Sequence, residues 1–158
     1  MLAERISSPM TTAAVLARVR RYCDVQERCH QQVRDKLYEM GCHAEEVEQL
    51  IAQLIGEGLL NEQRYAEDYA VSKFRQKGWG RIKIRMALRL KKVAPPCIAG
   101  GLAAIDGDEY IAYLTAAVAK LRATTKGADA WEREQRVKRY LMGRGFEPDL
   151  IGDVLKGA

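Results

Sequence analysis

Two constellations in this 158-residue chain have residue types that could do chemistry. The first is a set of soft metal ligands: Cys23, Cys29, His30, Cys42 and His43 fall within 21 residues. Zinc sites ordinarily bring one pair of ligands about two to four residues apart and then repeat the pair. Here five residues separate Cys23 from Cys29, and Cys29-His30 and Cys42-His43 are adjacent couples in helix-like sequence. Neighbouring side chains on a helix diverge by about 100°, so such couples do not converge on one ion. The expectation is four reduced cysteines and no metal or other cofactor. Nucleophilic chemistry has equally little support. The chain has only two histidines and no Gly-x-Ser-x-Gly, phosphate-loop or dinucleotide glycine pattern. Glu45, Glu46 and Glu48 read as the first turn and outer face of a helix, where negative charge complements the helix dipole. An enzyme is not expected.

The second constellation is electrostatic. Residues 73–92 hold nine basic side chains and no acidic one: Lys73, Arg75, Lys77, Arg81, Lys83, Arg85, Arg89, Lys91 and Lys92. Residues 42–70 reverse the balance, with seven acids against Arg64 alone. Arg81, Arg85 and Arg89 are spaced four apart and share a helix face, while Ile84, Ala87, Leu88 and Lys91 lie on another. Like charges at that spacing repel by about a few tenths of a kcal/mol per pair, so helix stability gives no reason for the row. An anionic partner does. The plainer alternative is a solvated face, partly neutralised by the acidic block folding back on it. Trp79, flanked by glycines and close to Lys77 and Arg81, has three candidate roles: interface anchor, base-stacking platform, or a plug over the elbow between two helices. A second cluster, Arg133, Arg136, Lys138, Arg139 and Arg144, is diluted by Glu132 and Glu134.

These residues need a scaffold, and apolar spacing supplies one. Val33, Leu37 and Met40 form a stripe of helical period, as do Val47, Leu50, Ile51, Leu54 and Ile55. Tyr65, Ala66, Tyr69, Ala70 and Phe74 follow the same rule, and so do Tyr110, Leu114, Val118 and Leu121. Sustained two-residue alternation is absent, so the fold class is all-α. Composition agrees with a globular protein: 47% hydrophobic and 30% charged, with a net charge of +5. The longest uncharged stretch, residues 93–105, is 13 long and contains two prolines, too short and too broken for a membrane span. The opening Met-Leu-Ala-Glu-Arg lacks the basic start and apolar block of a secretory signal, and a cytoplasmic location is expected.

Sliding the chain against itself exposes a repeat. A shift of 51 superimposes Val33 on Ile84, Leu37 on Leu88, Val47 on Ile98, Ile51 on Leu102 and Leu54 on Ile105. A shift of 104 superimposes Val33 on Val137, Leu37 on Leu141, Gly41 on Gly145, Val47 on Ile151 and Ile51 on Leu155. Pro95 and Pro148 both fall at the repeat position of Ala44, the first turn of a helix, where proline is tolerated. The preceding His43, Ala94 and Glu147 are poor caps, so these helix starts must lean on tertiary packing. The repeat predicts an N-terminal tail over residues 1–10 and three-helix units over 11–60, 61–105 and 106–158. Short helices cannot bury their stripes alone, so the units should stack in tandem as an elongated array.

The run Gly58-Leu59-Leu60-Asn61-Glu62-Gln63-Arg64-Tyr65-Ala66-Glu67-Asp68-Tyr69 closely resembles the linker and helix opening of the RecX regulatory proteins. Lys73-Phe74-Arg75 and Gly80-Arg81-Ile82-Lys83-Ile84 continue the resemblance, and Leu37-Tyr38-Glu39-Met40-Gly41 resembles the end of that family's preceding helix. Where the family commonly has Gly-x-Gly-Pro before the basic helix, Arg81 here follows Gly80. The resemblance implies a cytoplasmic, non-enzymatic modulator of the bacterial recombinase RecA that restrains the filament's ATPase and strand exchange. It also implies tandem three-helix units, a RecA–DNA filament as partner, and single-stranded DNA contacted within that filament or directly. A monomer without membrane contact is expected. Lys73, Arg75, Lys77, Trp79, Arg81, Lys83, Arg85, Arg89 and Lys92 are the candidate contact residues. The alternative is a free-standing nucleic-acid-binding helical protein that acts without a recombinase.

Overall fold

The computed structural model describes residues 10–157. The expected tail over residues 1–10 lies, but for Met10, outside the described residues. Among them are nine α-helices and no strand: α1 (Thr12–Val25), α2 (His30–Glu39), α3 (Ala44–Gly56), α4 (Glu62–Lys77), α5 (Arg81–Leu90), α6 (Pro95–Ala103), α7 (Gly107–Thr124), α8 (Ala130–Gly143) and α9 (Pro148–Gly157). They form three tandem three-helix units. None of the described helices is long and apolar enough to cross a membrane.

The repeat is visible in backbone geometry as well as in apolar spacing. The third helices start at Ala44, Pro95 and Pro148, the positions related by the shifts of 51 and 104. The turn preceding each has one residue in the left-handed region, and it is the same repeat position every time: Gly41 (φ 88°), Lys92 (φ 59°) and Gly145 (φ 97°). The next residue's N–H then donates back to the preceding helix, from Cys42 to Leu37, Val93 to Leu88 and Phe146 to Leu141, at 3.1, 3.2 and 3.1 Å. This is a helix ending that satisfies otherwise orphaned carbonyls. Two units fill the left-handed position with glycine, which has no Cβ penalty there, and the second fills it with lysine.

Helix starts divide into two kinds. Thr11, Asn61, Asp106 and Asp129 accept side-chain cap bonds from Ala14, Arg64, Glu109 and Glu132 at 3.2, 2.9, 2.8 and 2.7 Å. His43 and Ala94 make no side-chain cap bond, so α3 and α6 are held by their buried stripes.

The chain separates into two compact bodies, with the boundary between Tyr65 and Ala66. In the first, Val19, Val33, Leu37, Val47 and Leu54 are fully buried and form one core with Val15, Leu50, Ile51 and Leu60. Its acidic side chains serve its own cations: Glu57 pairs with Arg20 at 2.5 Å, Glu48 with Arg34 at 2.9 Å and Glu27 with Arg64 at 2.5 Å. The buried Glu62 accepts the N–H of His30 at the start of α2, at 3.3 Å. The other body begins within α4 at Ala66 and holds the rest of the second three-helix unit with the third, around Tyr110, Phe146, Ile84, Leu88, Leu114, Leu141 and Ile151.

Candidate partner-binding surface

The basic helix α5 is positioned by a close approach of two turns. Gly80 N–H donates to the carbonyl of Arg144 and Ile82 N–H to that of Gly145, each at 2.9 Å. A Cβ on Gly80 would lie inside contact distance of the Gly145 carbonyl and the Phe146 nitrogen, and one on Gly145 would meet the Lys83 nitrogen at 2.7 Å. Two glycines therefore let the α4–α5 turn and the α8–α9 turn touch backbone to backbone. Beneath them lies an aromatic cluster, with Phe74 and Tyr110 at 5.4 Å, Tyr110 and Phe146 at 5.3 Å, and Tyr113 stacked on Phe146 at 5.8 Å.

This docking consumes part of the basic block. The Arg81 guanidinium sits 3.9 Å over the Tyr110 ring and pairs with Glu147 at 3.0 Å, while its backbone N–H donates to the Tyr110 hydroxyl at 3.1 Å. The Tyr110 hydroxyl donates in turn to Glu147. Burial, reinforced by that acceptor carboxylate, pushes the Tyr110 phenol far above its usual range. Arg75 makes a two-pronged pair with Glu109 at 2.9 and 3.0 Å, which holds the Glu109 carboxyl below its usual range. The row of three arginines is thus divided. Arg81 and Arg75 are neutralised by acids of the third unit, where sequence reasoning looked to the acidic block over residues 42–70.

Trp79 is half-buried, with Lys83 4.7 Å and Lys73 5.2 Å from its ring, and Lys73 also lies 5.4 Å from Tyr69. The tryptophan is a clasp between two lysine ammoniums, each gaining cation–π attraction from one ring. The Trp79 backbone N–H donates to the Lys73 carbonyl at 3.2 Å, which turns the chain out of α4. Lys77 is exposed, and its carbonyl accepts from Arg144. Arg85, Arg89 and Lys92 have no carboxylate partner among the described residues; Arg89 and Lys92 are exposed and Arg85 is half-buried.

Sequence reasoning missed the apolar component of this surface. Met86 is 59% and Leu90 85% exposed, forming a row on α5 beside that of Arg85 and Arg89. The signal was present, because α5 carries apolar residues on two faces and only Ile84 and Leu88 are needed for its core. Of the second cluster, Arg136 pairs with Glu132 at 2.8 Å, and Arg133 and Arg144 bind carbonyls of Gly127 and Lys77. Cys23, Cys29 and Cys42 are buried and Cys97 is partly buried. Burial pushes the Cys23 and Cys42 thiols up, away from the reactive thiolate. No three His, Cys, Asp or Glu side chains among the described residues are grouped to hold a metal ion.

Known proteins share the tandem three-helix architecture. The first, second and third three-helix domains of RecX match residues 16–54, 61–102 and 108–155. The regulatory protein RecX of Prosthecochloris aestuarii is 31% identical over 148 residues, covering 94% of this chain and 95% of that protein. The RecX of Clostridium perfringens (strain SM101) is 28% identical over 131 residues, and the aligned region spans 61% of its length. The crystal structure of RecX from Lactobacillus salivarius superimposes with a TM-score of 0.85 at 21% identity, over 92% of this chain and 94% of that one.

Proposed function

Because this chain belongs to the RecX family of regulatory proteins, we propose that it is a negative modulator of the recombinase RecA. It binds the RecA–DNA filament through the outer surface of α5 and restrains ATP hydrolysis and strand exchange. It works in the cytoplasm as a monomeric binding protein without catalytic activity of its own, in recombination, DNA repair and the SOS response. The nine candidate residues divide by role. Arg85, Arg89, Lys92 and Lys77 meet the partner; Arg81, Arg75, Lys73, Lys83 and Trp79 hold that surface in place.

The observation that carries this reading is the composition of the outer face of α5. Two exposed apolar side chains, Met86 and Leu90, stand beside cations that have no carboxylate partner among the described residues. A large exposed apolar side chain in a cationic frame suits an acidic protein surface better than bare phosphates, which reward charge alone. Lys92 adds support. It keeps a cation at a left-handed position that the other two units fill with glycine, and strain of this kind is retained where a side chain is needed.

The test measures RecA ATPase on single-stranded DNA while this protein is added. Inhibition well below the concentration that coats bare DNA is expected. Arg85→Glu with Arg89→Glu should abolish it while leaving helical content intact. Tight binding to DNA alone with no inhibition of RecA would instead establish the free-standing nucleic-acid binder.

A further inference from the structure

The first three-helix unit contains a cavity of about 980 Å³ that the reading above does not use. It opens between α1, the turn before α2 and the C-terminal end of α2. Its walls carry Arg18, Arg21, Tyr22, Arg28 and Lys36, over a floor that includes Val15 and Met40.

The arginines of this body are sorted by face. Arg20, Arg34 and Arg64 each pair with a glutamate. Arg18, Arg21 and Arg28 pair with no carboxylate among the described residues, and all three line the cavity. Lys36 has a loose contact with Glu39, at 3.9 Å, and its ammonium lies 5.6 Å from the centroid of the Tyr22 ring. Two acids also line the cavity, Glu39 from the end of α2 and Glu46 from α3, so it is cationic on the α1 side rather than throughout. Arg28 is shaped for more than charge. Its Nε donates to the Tyr22 carbonyl at 3.0 Å, and its guanidinium carbon Cζ lies 3.8 Å from the centroid of the Tyr22 ring. The remaining guanidinium nitrogens are left to bind elsewhere. Fixing a guanidinium against a ring holds a planar group beside Arg21 and Arg18, the latter bonded to the Met10 sulfur at 3.4 Å rather than to a carboxylate.

We infer that this cavity is a binding site for single-stranded nucleic acid, on a different body of the chain from α5. Arg18, Arg21 and Lys36 take phosphates, and the stacked Arg28–Tyr22 pair receives a base. Single strands are bound by this combination of cations that follow the backbone and flat aromatic or guanidinium faces. An acidic polypeptide would use the guanidinium edges but has no need of the stacked face.

The experiment titrates the intact protein into fluorescein-labelled dT12 without any recombinase, across a range of salt concentrations. Arg18 and Arg21 are both exposed and outside any ion pair, so Arg18→Gln with Arg21→Gln leaves the fold intact, which circular dichroism verifies. Each lost phosphate contact lowers the log–log salt slope by about 0.7, so the double variant should show a slope shallower by about 1.4. At 0.1 M salt this corresponds to binding weakened about 25-fold. Photo-crosslinking from 5-iodouracil in the same strand should label Tyr22. An unchanged slope, crosslinks confined to residues outside 10–46, or displacement of the strand by polyglutamate at equal charge would each overturn the assignment.

Discussion

Replacing Gly80 by alanine isolates the contact that orients the basic helix. Gly80 has φ −78° and ψ 167°, a conformation open to any residue, so the substitution introduces no backbone strain. Its effect must come from the new methyl group, which cannot fit against the Gly145 carbonyl and the Phe146 nitrogen. These are backbone atoms and cannot rotate away. Separating the turns enough to admit the methyl breaks the two 2.9 Å hydrogen bonds from Gly80 and Ile82. Each such bond contributes about 1 kcal/mol net. Overpacking adds about 1–3 kcal/mol, giving a total near 3–5 kcal/mol. For a chain of this size that lowers the melting temperature by roughly 10 °C. Gly56→Ala is the control, because a Cβ there meets nothing within 4 Å; at a helix end it should be neutral or stabilise by up to about 1 kcal/mol. Urea unfolding of the two variants, with hydrogen exchange at the Gly80 and Ile82 amides, makes the comparison. Equal midpoints, or full amide protection in Gly80→Ala, would refute the docking of these turns as the source of α5's position.

Lys92→Gly should stabilise the protein by about 0.5–1 kcal/mol in urea unfolding. Release from a left-handed lysine is worth about 1–2 kcal/mol and is partly offset by glycine's greater chain entropy. The same variant should inhibit RecA less well, because it removes a contact cation. At alkaline pH, the native state retains the Tyr110 proton that the unfolded chain releases near pH 10. Stability should therefore fall as pH rises above about 10, and Tyr110→Phe should flatten that slope; an unchanged slope counts against the buried phenol. Met86→Ser with Leu90→Ser should leave the melting temperature within about 2 °C, since both side chains are exposed. The amount needed to inhibit RecA should rise about tenfold, and unaltered inhibition would remove the apolar row from the contact surface.

Much of the scaffold was already legible in the residues. Apolar spacing and the shifts of 51 and 104 anticipate the nine described helices and their grouping in threes. Helical periodicity repeats every few residues, and caps and left-handed glycines act within one turn, so each of these signals is local. Even the position shared by Gly41, Lys92 and Gly145 followed from the register, although its geometry did not. What the tertiary structure alone decided is which charges remain available. Arg81 finds Glu147 at a separation of 66 residues, and Arg75 finds Glu109 at 34. In the first body, glutamates select Arg20, Arg34 and Arg64 and leave Arg18, Arg21 and Arg28 around one cavity. A charge count along the chain treats these arginines alike. Their distinct roles arise because ion pairs form across packed helices, where loop geometry and the close approach of Gly80 to Gly145 determine which side chains meet.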